Sequence, residues 1–162
     1  MDGLMIKKIY LDMDGVLADF VKGVESEDFL NSSMKTDDDY YNKKIFFSDK
    51  RLFRFLPPTK GMKDLVAFIK STKIPWEILT CVGEGNRQLI IYDKKKWVED
   101  YVDPYVVVNT TLRGTDKSIF ARKNSLLIDD KEKNIKAWCK AGGVGIIHTD
   151  VESTIEYLKQ IL

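Results

Sequence analysis

The stretch "IYLDMDGVLADF", Ile9 to Phe20, decides how this chain is read. Its first residues are apolar and suit a short strand. That strand runs into two aspartates, Asp12 and Asp14, one residue apart, and Gly15 follows at once. Like charges this close repel, and burying either carboxylate without a partner costs several kcal/mol. Something positive must balance such a pair, and a bound metal ion is the natural candidate.

Working outward, short apolar runs alternate with longer amphipathic ones. "KIYLD" (8–12), "WEILT" (76–80), "YVVVN" (105–109), "SLLID" (125–129) and "VGIIH" (144–148) read as strands. Most are nearly continuous in Val, Ile and Leu, as expected of a sheet covered on both faces. Between them, "GMKDLVAFIKS" (61–71) puts Met62, Leu65, Val66 and Ile69 on one helical face. "NRQLIIYDKKKWVEDYV" (86–102) offers Leu89, Ile90, Trp97 and Val98 to a core. "DKEKNIKAWCKAG" (130–142) runs into a glycine pair suited to a helix C-cap, and Asp150 is placed to cap "DVESTIEYLKQIL" (150–162). The "KKK" run (94–96) reads as a solvated helix face, and "DDD" (37–39) as a solvated face or a helix start.

Strands alternating with helices predict an α/β fold, a Rossmann-like parallel sheet of about five strands with helices on both faces. Residues 1–20 and 60–162 form the expected core domain. Residues 21–59 contain no convincing strand and read as a small, mostly helical cap insertion, closed by Pro57-Pro58.

Composition narrows the function classes. At 162 residues the chain can bury a sizeable core. A formal net charge of +1 argues against a stable partnership with long nucleic acid. No apolar run is long enough to span a bilayer, and the N-terminus lacks a cleavable signal pattern. Cys81 and Cys139 are too few for a disulfide framework and are expected to be free thiols in the cytoplasm. The single His148 has no ligand cluster in sequence, which argues against zinc.

In an open parallel sheet, ligands bind beyond the carboxyl ends of the strands. There the predicted strands deliver Asp12 and Asp14, then Thr80, then Asp129-Asp130, with Lys117 shortly before the fourth strand. Two acidic pairs on neighbouring strands make a hard, oxygen-rich site of the kind that binds Mg²⁺.

These residues carry a resemblance. "DMDGVLADF", "ILT", the downstream Lys117 and "LLIDDKEKNI" resemble the four motifs of the haloacid dehalogenase-like (HAD) phosphatases, and within them the 5'(3')-deoxyribonucleotidases. "FLPPTKGMKDLVAF" is similar to that family's approach to its first helix after the cap. The likeness runs from about Lys7 to His148. After Thr80 the family often has Ser-Pro, where this chain has Cys81-Val82.

The resemblance implies a HAD-like core and Mg²⁺-dependent hydrolysis of (deoxy)ribonucleoside monophosphates through an aspartyl phosphate. It makes Asp12 the nucleophile and Asp14 the general acid and base. It gives the metal to Asp12, to Asp14 through its backbone carbonyl, and to Asp129, with Asp130 as a further ligand or an orienting neighbour. Thr80, Lys117 and Gly15 are the expected phosphate-binding residues. Phe20, and less strongly Phe46 and Phe47, are the expected substrate-pocket residues. The implied partner is a small nucleotide, with no membrane, and a homodimer is compatible with the sequence.

Alternatives remain at this level. They are a phosphatase for another small ester or for a polynucleotide 3'-phosphate end, and an inactive phosphatase-like binding module. A signalling receiver domain also uses acids, a Thr and a Lys around Mg²⁺, but its Thr and Lys follow all its acidic strands, whereas Thr80 and Lys117 precede Asp129.

Overall fold

Residues 5–25, 48 and 50–162 are described in the computed structural model of the chain. Phe46, Phe47, the "DDD" run and most of the expected insertion lie outside them. The strands are β1 (Lys8–Leu11), β2 (Trp76–Cys81), β3 (Val108–Thr111), β4 (Ser125–Asp129) and β5 (Val144–Ile147). They form one sheet in the order β3-β2-β1-β4-β5, and every neighbouring pair is parallel.

Side chains alternate across the sheet, and each set of alternates has its own core. Ile9 and Leu11, Ile78, and Leu126 and Ile128 join one large apolar cluster. Their neighbours Tyr10, Leu79 and Leu127 join a second cluster with Ile135 and Trp138. Both faces are therefore covered, which is why the middles of β1, β2 and β4 are apolar on successive residues rather than alternating with polar ones.

Four helices cover the sheet. In α3 (Met62–Ser71), Met62, Leu65, Val66 and Ile69 are buried, as their spacing predicts. In α4 (Arg87–Tyr101), Ile90, Trp97 and Val98 are buried and Leu89 is half-buried. Helix α5 (Glu132–Lys140) ends in a Schellman arrangement. Gly142 sits at φ +96°, its N–H donates to Cys139 O, and the Gly143 N–H donates to Trp138 O. Helix α6 (Val151–Ile161) is capped by Asp150, which accepts from Ser153 N at 2.8 Å. No helix among the described residues is long and apolar enough to cross a membrane.

Two expectations need correction. The apolar run at 105–109 predicts a third strand there, but pairing begins only where Ile78 N–H donates to Val107 O. Tyr105 is 92% exposed, and its N–H is taken by the Asp103 carboxylate at 2.8 Å in a local turn. The "KKK" run is not a solvated face. Lys95 is exposed and Lys96 half-buried, but Lys94 is fully buried. It follows Ile90 by four residues and precedes Trp97 and Val98 by three and four, so it shares their stripe.

The insertion's described ends are helical: α1 (Phe20–Val24) and α2 (Leu52–Phe55). Where the chain leaves and re-enters the sheet, Ala18 and Pro58 form an antiparallel bridge. Asp19 N–H donates to Pro57 O, and Thr59 N–H to Leu17 O. Helix α2 is held on α4 by Arg51 to Asp93 (2.7 Å), Arg54 to Asp100 (2.6 Å) and Trp97 Nε1 to Leu56 O (2.8 Å).

Candidate functional site

Strand register brings the acids together. Leu11 lies opposite Ile128 of β4 and Ile78 of β2. The chain therefore emerges with Asp12 beside Asp129, and Asp12 N–H donates to Ile128 O at 2.9 Å. β2 continues past that level to Thr80 and Cys81.

One half of the site centres on Lys117, carried by a 3₁₀ helix (Thr115–Phe120). Its ammonium is buried, 2.7 Å from Asp12 Oδ1 and 2.6 Å from Asp129 Oδ2. Asp129 also accepts from Lys131 N (2.8 Å) and from Asn134 Nδ2 (3.1 Å). Asp12 Oδ1 accepts from Met13 N at 2.8 Å, while its Oδ2 accepts no hydrogen bond from the described residues.

Burial pushes the Asp12 carboxyl up to about 7. Lys117 pulls against that, and the charges of Asp129 and Asp14 add to it. Burial also works against the Lys117 charge, but Asp12 and Asp129 outweigh it and hold the ammonium above its ordinary range. Burial raises Asp130 as well, with Lys131 pulling the other way.

Oxygens of Asp12, Asp129 and Asp130 lie within 4.8 Å of one another, and Lys117 bonds only the first two. Asp130 Oδ1 is buried without a partner. The set is all oxygen, it holds more negative charge than Lys117 neutralises, and it includes an orphaned buried acceptor. Those features fit a hard divalent cation such as Mg²⁺. Gly15 makes room for the arrangement. It sits at φ +83°, and a Cβ there would fall 2.4 Å from Asp130 Oδ2.

The other half centres on Lys94, which the sequence reading missed. Its Nζ donates to Asp14 Oδ2 (2.6 Å) and to Thr80 Oγ1 (3.0 Å), and lies 4.6 Å from the centroid of the Phe53 ring. Phe53 in turn stacks on Phe20, with centroids 6.1 Å apart. Asp14 Oδ1 is buried without a partner. Thus the Asp14 carboxylate turns to Lys94, while Asp12, Asp129 and Asp130 group together.

Cys81 sits between the two halves and feels the charges of Lys94, Asp12, Lys117 and Asp14, but burial dominates and pushes its thiol up. Both cysteines are free thiols.

The His148 backbone N–H donates to the Asp129 carbonyl, but its ring turns away from the carboxylates: Nδ1 pairs with Thr154 Oγ1 at 2.8 Å, and burial pushes the imidazole pKa down. A cleft of about 790 Å³ runs from Gly15 past Thr59 and Gly61 to His148 and Asp150. It meets the site only at Gly15; Asp12, Asp14, Thr80 and Lys117 do not line it.

Two residues escaped sequence reasoning. Lys94 had a usable signal, a lysine on the apolar stripe of its own helix. Asn134, buried and donating to Asp129, is a polar residue in the first turn of α5 beside the buried Ile135. Its spacing carried no signal for that contact.

No family model matches the chain, and no curated protein matches it. Solved structures match it in fold. A hydrolase from Streptococcus pneumoniae TIGR4 superimposes with a TM-score of 0.56 at 15% identity, over 95% of this chain and 98% of that one. A HAD-superfamily hydrolase from Ehrlichia chaffeensis gives 0.56 at 12% identity, over 97% and 98%. The HAD hydrolase YfnB from Bacillus subtilis, solved bound to magnesium, gives 0.57 at 12% identity, over 98% and 99%. The five-stranded parallel sheet with its helices is thus a HAD-like α/β fold.

Proposed function

We infer that this protein is a Mg²⁺-dependent phosphatase that hydrolyses (deoxy)ribonucleoside monophosphates through an aspartyl phosphate. The observation that carries the reading is the charge deficit at the sheet edge: Lys117 between Asp12 and Asp129, with Asp130 alongside and one of its oxygens unpaired. Similarity of fold to HAD hydrolases supports the chemistry, and the motif resemblance supports the nucleotide.

In the first step, Asp12 Oδ2 attacks phosphorus. An O–P bond forms to Asp12, the ester O–P bond breaks, and Asp14 gives its proton to the leaving alkoxide. In the second, water attacks the aspartyl phosphate, Asp14 takes a proton from that water, and the Asp12–phosphorus bond breaks to release phosphate. Thr80 and Lys117 hold the phosphate oxygens, and Gly15 keeps the loop free of a side chain that would crowd Asp130. Asp12, Asp129 and Asp130, with the Asp14 carbonyl, would hold Mg²⁺. When bound, the ion supplies positive charge to the carboxylates and to the phosphate.

Phe20 and Phe53, at the start of the insertion and at its return, offer a stacked aromatic pair against which a base can rest. The test is phosphate release from a panel of ribo- and deoxynucleoside monophosphates, sugar phosphates and p-nitrophenyl phosphate, with and without Mg²⁺. Turnover of the nucleotides that is lost on chelation is expected. Turnover confined to sugar phosphates removes the substrate assignment, and no turnover of any ester removes the enzyme.

A further inference from the structure

We propose that Lys94 is a positioning residue for this reaction: it orients the Thr80 hydroxyl as a donor to the phosphate. The proposal rests on the phosphatase reading above. It goes beyond it because Lys94 belongs to none of the motifs that suggested the reaction.

The argument starts from what a lysine can do. An ammonium has three N–H donors and no acceptor. Lys94 Nζ lies 3.0 Å from Thr80 Oγ1, so the hydroxyl must accept there. A hydroxyl has a single hydrogen, and with its oxygen engaged by Lys94 that hydrogen is left to point at another acceptor. At the end of β2, a phosphate oxygen is that acceptor. Without Lys94 the hydroxyl is free to turn its lone pairs to the phosphate, which repels it.

The Asp14 carboxylate holds the ammonium from the other side: its Oδ2 accepts from Lys94 at 2.6 Å.

Lys94 itself cannot drift. It is fully buried in the middle of α4. The preceding residue, Asp93, is tied to Arg51, and Trp97 one turn on is tied to Leu56 O. The Phe53 ring covers the ammonium at 4.6 Å. A buried charge needs its partners in good geometry, and the described partners of this one are Asp14, Thr80 and that ring.

The test uses Lys94→Met, Lys94→Gln and Thr80→Val, with the Lys94→Met/Thr80→Val double variant. Three quantities are read: kcat and KM on a nucleoside monophosphate and on p-nitrophenyl phosphate, the Kd of orthophosphate in Mg²⁺, and the melting temperature. For Lys94→Met, kcat/KM is expected to fall by about tenfold on both esters, because the phosphate that the oriented donor meets is common to them. Orthophosphate is expected to bind roughly tenfold more weakly in Lys94→Met and in Thr80→Val, and hardly more weakly still in the double variant, because both lose the same oriented donor. Lys94→Gln keeps an N–H donor without the charge and falls between wild type and Lys94→Met.

Unchanged orthophosphate affinity in Lys94→Met, or additive losses in the double variant, overturn the proposal. So does loss of the fold in both lysine variants, which makes Lys94 a purely structural residue. If the wild-type protein hydrolyses no ester at all, the phosphatase reading fails on its own, and the orthophosphate measurements still decide whether Lys94 orients Thr80.

Discussion

Lys117 and Lys94 are both buried at the same sheet edge, yet the regions around them differ in charge. Lys117 is shared by Asp12 and Asp129, and Asp130 lies against them. With Lys131 3.3 Å from Asp130 Oδ2, three carboxylates still face two ammonium groups, and burial together with the surplus raises Asp12 to about 7. Around Lys94, one ammonium meets one carboxylate and one hydroxyl, and the charges balance. A surplus calls for a cation; a balanced pair calls for none. In the proposed reaction the difference divides the labour: metal and nucleophile on the Lys117 side, leaving-group acid and phosphate hydroxyl on the Lys94 side.

The sharpest way to break this comparison is Asp12→Asn. It removes the surplus charge and the nucleophile together. Phosphate release is expected to fall to the buffer blank, while the metal-free melting temperature holds or rises. A folded variant with wild-type turnover would remove Asp12 from the chemistry.

Next comes Lys117→Met. Taking one partner from a buried ion pair costs about 3–5 kcal/mol. Denaturant titration should show that loss, and added Mg²⁺ should recover part of it, since the carboxylates left behind are the ones the ion would bind. No recovery with Mg²⁺ would argue against a cation on this side.

Asp14→Asn tests the other side. It should slow nucleotide hydrolysis by about 10²–10⁴-fold and p-nitrophenyl phosphate hydrolysis much less. Stabilisation by Mg²⁺ should survive, because the Asp14 carboxylate faces Lys94. Loss of the Mg²⁺ effect would join the two halves into one metal site.

Phe20→Ala tests substrate class. Base stacking is worth roughly 1–3 kcal/mol, so kcat/KM on a nucleotide should fall about tenfold, mostly through KM, with little change on p-nitrophenyl phosphate. A uniform loss with a lower melting temperature would make the Phe20–Phe53 stack part of the core alone.

The pH dependence of stability is the finest of these tests. Folding raises Asp12 from 3.8 to about 7, so the folded chain holds a proton that the unfolded chain releases. That contribution is complete below about 3.8 and is lost as the pH rises through about 7. Mg²⁺ needs the ionised carboxylate, so its stabilising effect should be full above 7 and shrink below it. Melting temperatures with and without Mg²⁺ across this window check the sign.

Much of the fold was legible because the strands are covered on both faces, so "IYL", "EIL", "LLI" and "GII" are apolar runs whatever surrounds them. β3 was misplaced because "YVVV" looks equally apolar throughout, and only the Asp103 turn and the late start of pairing with β2 exclude Tyr105. At the site, Asp12, Thr80 and Asp129 were readable because a parallel sheet delivers strand ends to one edge.

Sequence by itself determined the parallel α/β architecture and the concentration of acids at its carboxyl edge, since both follow from local periodicity and strand order. Only the tertiary structure decided which cation meets which acid. Lys94 stands fourteen residues after Thr80 and eighty after Asp14; its place on the apolar stripe of α4 marks it as buried, but nothing local names its partners. The packing of α4 against the sheet and against α2 turns one lysine of the run inward and leaves its neighbour in water, and which carboxylate and hydroxyl it meets is set by contacts between residues far apart in the chain.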